Sequence, residues 1–206
     1  MKHTIIGGLY MFEDYTDDDL RRWIEKNCPK EDLTEEEINK RIIVNFGPEA
    51  LKEMEFTLKI DNLNFKLAEF LGIEVIPVFF ENITEDARFY DEEEYIAISK
   101  KFMFDELESI KCLVHEVRHG YQKYCITHKN EKLKFAPIEL VNEWEEDFSK
   151  DQSLIPLDEQ LCESIEIDAY AFTKYILKEW FDYEYHHHDI TYDTVLGLYI
   201  NQFYKD

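Results

Sequence analysis

The sequence predicts an α+β domain, mainly helical, with a small antiparallel sheet ahead of its central helix. Three observations predict it. Apolar residues recur every three or four positions over several long stretches. A β-branched and aromatic cluster is confined to residues 74–99. The 206 residues, 45% hydrophobic and 15% aromatic, suit one well-buried core and are short for two. Neither a repeat nor a Gly/Ser/Pro-rich linker divides the chain. Residues 1–206 therefore read as a single domain, with a small N-terminal helical lobe over about residues 1–47.

The elements follow in order. Thr4 to Phe12 has the hydropathy of a leader but no small-residue cleavage site, and it runs into Glu13, Asp14 and Asp17 to Asp19. No signal peptide is expected. Thr34, with Glu37 three residues on, is a capping box opening a helix over Thr34–Val44. Phe46-Gly47-Pro48 ends it, and Pro48–Leu71 forms a longer helix closed by Gly72. Strands are expected in Glu74–Glu81, Ala87–Tyr90 and Tyr95–Ser99. Pro77 gives the first an edge position or a strand start, and Asp91–Glu94 reads as a hairpin turn or a bulge between the other two. Asp105, with Glu108 three residues on, caps a helix with a core stripe of Leu107, Ile110, Val114, Val117, Tyr121 and Tyr124. Asn130–Ile155 is polar and irregular, with an aromatic-acidic segment, Trp144–Phe148, and reads as a short helix or a mobile loop. Asp158–Phe181 is a strong helix, with Leu161, Ile165, Phe172, Ile176 and Trp180 on one side. Thr191–Tyr204 reads as a closing amphipathic helix.

Charge narrows the function. A formal net charge of -23 argues against nucleic acid and anionic membrane as partners, since both need basic surface. The acid lies in short runs, such as Asp17–Asp19, Glu35–Glu37 and Glu92–Glu94, and reads as solvated surface. The sharper alternative is steering of a basic protein or peptide. No apolar run reaches the roughly 18 residues of a membrane span. Cys28, Cys112, Cys125 and Cys162 form no C-x-x-C pair, so free thiols in a reducing cytoplasm are expected. Cys112 and Cys162 read as small packing residues.

The chemistry-bearing stretch is His115-Glu116-Val117-Arg118-His119, an H-E-x-x-H pattern. Residues four apart lie one above the other on a helix, so both imidazoles can bind one zinc ion (Zn2+). Glu116 is then placed as general base toward a water activated by the metal. The pattern sits inside the helix predicted from Asp105, the context it requires. Arg118 reads as exposed or paired with one of the surplus acids.

A catalytic zinc takes three protein ligands, so a third is needed. The helix from Asp158 offers Glu159, Glu163, Glu166 and Asp168, with Glu163 and Glu166 sharing a face. Here the sequence resembles a known group. H-E-x-x-H followed on a later helix by Glu166-Ile-Asp-Ala169, with aromatics just after, looks like the Glu-ligand zinc peptidases called gluzincins. It is most similar to the ImmA/IrrE-type metallopeptidases. The resemblance covers roughly Tyr90 to Phe181. It departs from the family in a gap of 46 residues between His119 and Glu166, and in Asp168 where the familiar pattern has Glu.

The resemblance implies a zincin-like fold with Glu166 as third zinc ligand. It also implies that the strand before the motif helix, Glu94–Ser99, pairs with the extended substrate. The activity implied is that of a soluble zinc endopeptidase acting on a protein or peptide, of a regulatory kind carried by a phage or mobile element. The alternative is a non-catalytic zinc protein whose site organises an interaction surface. Glu116 favours the enzyme, because a structural site needs no base. Candidate oxyanion donors are Tyr170, one turn after Glu166, and Tyr121, Tyr124 or His128. Tyr170 is preferred because it shares the Glu166 face. Asp168 is a candidate partner for holding the imidazoles. His186, His187 and His188 read as a solvated or locally packed segment.

Overall fold

The computed structural model describes residues 3–6, 9–12, 22, 34–129, 133–150, 156, 159 and 161–204. Within them the protein is mostly helical, with a small three-stranded mixed sheet. No helix among the described residues is long and apolar enough to cross a membrane. The chain divides into two compact units, Met1–Asp61 and Asn62–Asp206. The lobe boundary expected near residue 47 falls inside the first unit.

The first unit holds two short antiparallel strands, β1 (His3–Ile6) and β2 (Leu9–Phe12), in addition to helix, so it is not purely helical. Helix α1 (Glu35–Phe46) starts on the expected capping box. Glu37 N–H donates to Thr34 Oγ1 at 3.3 Å, and Thr34 N–H donates back to the Glu37 carboxylate at 2.8 Å. Gly47, at φ 91°, ends α1, and Pro48 opens α2 (Pro48–Leu71), which spans the boundary between the units. Ile42 and Ala50 form a small buried cluster with Ile38, Phe46, Leu51 and Met54 packed on it.

In the second unit, Gly72 closes α2 at φ 74°, with its N–H on Ala68 O at 2.8 Å. Strands β3 (Val78–Glu81), β4 (Ala87–Tyr90) and β5 (Tyr95–Ser99) follow, in the spatial order β3-β5-β4. The sheet is mixed, not antiparallel as expected: β5 runs parallel to β3 and antiparallel to β4. The reason is the path of residues 82–86, which carry the chain past the end of β5. Ser99 N–H holds that link through Asp86 O at 2.9 Å, so β4 returns on the far side of β5. Ile96, Ala97 and Ile98 are fully buried, which is why β5 takes the centre. Pro77 stands at the start of edge strand β3, as its missing N–H requires.

Four further α-helices lie among the described residues of this unit: α3 (Glu106–Thr127), α4 (Ile138–Phe148), α5 (Ser164–Phe181) and α6 (Ile190–Phe203). The core sits between them. Leu113, Val114, Val117 and Tyr121 of α3 are buried, together with Val141 and Trp144 of α4 and Ala169, Phe172 and Ile176 of α5. Gly120 lets α3 lie close on the sheet side, since a Cβ there would collide with Ile76 and approach Phe89. Helix α5 starts later than the expected Asp158, which lies outside the described residues. Its cap is tertiary: Asp147 of α4 accepts from Ser164 N–H at 2.8 Å and from its hydroxyl at 2.6 Å.

Candidate metal centre

Helices α3 and α5 pack along one another and bring the site together. Asp105 caps α3 by accepting from Glu108 N–H at 3.2 Å, and ten residues further on the helix presents His115, Glu116 and His119. The first turn of α5 presents Glu166. His115 Nε2 lies 3.0 Å from His119 Nε2 and 3.3 Å from Glu166 Oε2, and His119 Nε2 lies 3.4 Å from Glu166 Oε1. These three residues form the one His/Cys/Asp/Glu group among the described residues that could hold a metal ion. Glu163, the other third-ligand candidate, pairs with Lys150 at 3.2 Å instead. Glu116 sits beside the group, almost fully buried.

Hydrogen bonding settles which nitrogen of His119 faces the centre. Gln122 Nε2 donates to Ile165 O at 2.9 Å and to Asp168 Oδ2 at 2.7 Å. Both partners only accept, so the amide is oriented, and its Oε1 faces His119 Nδ1 at 2.9 Å. Nδ1 therefore carries a proton. In the neutral ring Nε2 is then a lone pair aimed at His115 Nε2 and the Glu166 carboxylate, an arrangement that could hold a metal ion.

Asp168 does not touch an imidazole; it holds His119 through Gln122. It also takes Arg118 in a bidentate pair, Nε to Oδ2 at 2.7 Å and Nη2 to Oδ1 at 3.1 Å, with both side chains fully buried. Of the two expectations for Arg118, exposure is corrected and pairing with an acid holds. The rings of Tyr121, Trp144, Phe172 and Tyr204 surround its guanidinium at 4.8–5.5 Å. Sequence reading missed this cluster, although Arg118 lies four residues after Val114 and three before Tyr121, on the apolar stripe itself.

Tyr170 meets the edge of the His115 ring at a centroid distance of 4.6 Å, and burial pushes its hydroxyl well above the usual phenol range. Among the described residues its hydroxyl makes no hydrogen bond. Tyr121 is committed elsewhere, donating to Lys134 O, while Tyr124 and His128 stack on each other at the far end of α3. Tyr192 of α6 packs on Tyr170 at 5.8 Å, and its buried hydroxyl has no partner. His187 packs on Tyr192 and Tyr170 beside the site, while His186, paired with Asp193 at 3.2 Å, and His188 are exposed. Cys112 is half-buried, whereas Cys162 is exposed and not the packing residue expected. Cys28 lies outside the described residues, and Cys112, Cys125 and Cys162 form no disulfide with one another.

The expected substrate strand needs correction. Residues 96–98 are paired on both sides, so central strand β5 has no edge to offer. Strand β4 has one, and it lies along the motif. Cys112 Sγ approaches Asp86 O at 3.8 Å, Phe89 faces Gly120, and Lys123 pairs with Asp91 at 3.0 Å. The Ser99–Asp86 bond fixes the alternation, so the N–H and C=O of Ala87 and Phe89 point outward.

With a proton in the group, His119 and Glu166 form an ion pair. Burial opposes a charged His119, but Glu166 outweighs it and, with Glu116 and Gln122, pushes this histidine up to about 9. Burial likewise opposes ionised Glu166, yet the charge and hydrogen bonds of His119 and His115 hold it well below the usual carboxylate range. A histidine raised from 6.5 stabilises the fold fully below that pH and loses the contribution as pH climbs through about 9. A depressed carboxylate contributes above 4.5 and loses its share as pH falls. The metal-free pair is therefore expected to contribute most between pH 4.5 and 6.5. Urea midpoints across pH, for wild type and His119→Gln, check this. An alkaline slope that the variant leaves unchanged would refute it.

Comparison of the chain with protein-family models, with curated proteins and with solved structures gives no match.

Proposed function

We propose that the protein is a zinc-dependent endopeptidase with a zincin-like arrangement of its motif helix, third-ligand helix and edge strand. The observation that carries this reading is the convergence of His115, His119 and Glu166 with Glu116 beside them. Zinc bonded at 2.0–2.2 Å in a tetrahedron sets its ligand atoms about 3.3–3.6 Å apart. The separations of 3.0, 3.3 and 3.4 Å here lie close to that range. Three protein ligands leave a fourth position free, the pattern of a catalytic rather than a structural site. The motif and third-ligand helix resemble those of the ImmA/IrrE-type metallopeptidases, and cysteines without C-x-x-C spacing fit a reducing cytoplasm.

Bound zinc supplies two things: a water acidified to near-neutral pKa, and polarisation of the scissile carbonyl. The residues do the rest. Glu116 takes the proton from the water and returns it to the leaving amine. Tyr170, with a hydroxyl that stays protonated, donates to the carbonyl oxygen as negative charge develops there. An extended protein or peptide substrate pairs with the outer edge of β4, on Ala87 and Phe89.

The test is zinc stoichiometry together with hydrolysis of a denatured-protein peptide pool. One zinc per chain is expected, with cleavage that stops on chelation and returns with added zinc. Zinc bound without turnover would favour the non-catalytic interaction protein. A wild type with no affinity for zinc would end both readings.

A further inference from the structure

Arg118 fills one of the two variable positions of the motif, where metal chemistry asks nothing of the side chain. It is nevertheless buried with Asp168, at a desolvation cost that an apolar pair would avoid. The pair therefore calls for a role other than stability. From Asp168 Oδ2 a continuous line of hydrogen bonds runs through the Gln122 amide to His119 Nδ1, at 2.7 and then 2.9 Å. Turning the amide over would set its oxygen against two acceptors. Asp168 thus orients Gln122, and Gln122 orients His119. Arg118 fixes Asp168 from one side. From the other, Tyr204 at the end of α6 donates to Asp168 Oδ1 at 2.5 Å, itself buried against Phe172 and Tyr175.

We propose that Arg118, Asp168 and Gln122 are positioning residues that hold the His119 proton on Nδ1 and keep its Nε2 for the metal, and that Tyr204 locks this relay. Metal affinity then depends on the seating of α6, a helix that contributes no ligand. The inference rests on the metal-centre reading above. It deepens that reading by assigning a role to the variable position of the motif and to the last helix.

The experiment measures zinc dissociation constants on the full chain, by competition with a chromophoric chelator, and the long-range proton–nitrogen spectrum of the histidine rings. Gln122→Met keeps the side-chain volume and removes both ends of the relay. Its zinc affinity is expected to fall about 10–100-fold, with the neutral, zinc-free His119 ring no longer held in the Nδ1–H form. A merely structural role would move the urea midpoint and leave the ring signature intact. Tyr204→Phe removes a single oxygen at the far end, keeps the ring stacking, and is expected to give a smaller, several-fold loss. Wild-type affinity in Gln122→Met with an unchanged ring signature overturns the relay, and wild-type affinity in Tyr204→Phe overturns the lock. If Gln122→Met fails to fold, Tyr204→Phe decides alone. A wild type that binds no zinc removes the metal centre itself, and the wild-type titration tells that outcome from the other two.

Discussion

Glu116→Gln is expected to keep one zinc per chain and to lose peptide hydrolysis by about 10²–10⁴-fold, the span attributed to a positioned general base. Glu116 is 8% exposed and stands one residue after His115, outside the trio that converges on the centre. The amide has nearly the shape of the carboxylate, so packing along α3 is preserved. It still accepts a hydrogen bond from water, but it takes no proton at neutral pH. Substrate binding through the β4 edge is untouched, so the loss falls on kcat and leaves KM within a few-fold. Zinc content and single-substrate kinetics on the two proteins make the comparison. Hydrolysis within tenfold of wild type would move the base role to another group. Loss of zinc along with activity would make Glu116 part of the metal site.

The shared face of His115 and His119 was legible because local helix geometry fixes it, whereas Glu166 was named through the family resemblance and meets them by the packing of α5 on α3. His115 and His119 share a face whatever lies around them, and Glu166 stands on a periodic helix of its own. The direction of β3 relative to β5 was not legible. It depends on the route of residues 82–86 around a strand end, which no alternation pattern encodes. The N-terminal strand pair carried a signal in the sequence, Gly7-Gly8 between two β-branched and aromatic runs, which a signal-peptide test does not weigh. The late start of α5 has a tertiary cause, the cap from Asp147 on a different helix. The buried pair could have been found. Arg118 lies on the apolar stripe of α3, and Asp168 lies three residues after Ile165 and four before Phe172 on the stripe of α5. Two opposite charges, each on the apolar face of a helix, point to one another.

That pair sets the largest stability loss expected. Asp168→Leu should destabilise the fold by about 3–5 kcal/mol, because it strands the Arg118 guanidinium in the core. Whole domains are stable by only about 5–15 kcal/mol, so the variant would sit near the margin of folding. Arg118 has little recourse. Its remaining hydrogen bond is Nη2 to Phe135 O at 3.0 Å, and Nη1 has no partner. The four surrounding rings offer cation–π attraction of about 0.5–2 kcal/mol each at best, too little to replace a carboxylate. Adding Arg118→Met to Asp168→Leu removes the stranded charge and should recover most of the lost stability. The recovered protein would still lack the partner that orients Gln122, so its zinc affinity should stay low while its urea midpoint returns. Urea unfolding of the single and double variants measures the first part, and chelator competition the second. A loss below about 1 kcal/mol in Asp168→Leu would mean that Arg118 reaches water, and the sealed interface between α3 and α5 would have to be redrawn.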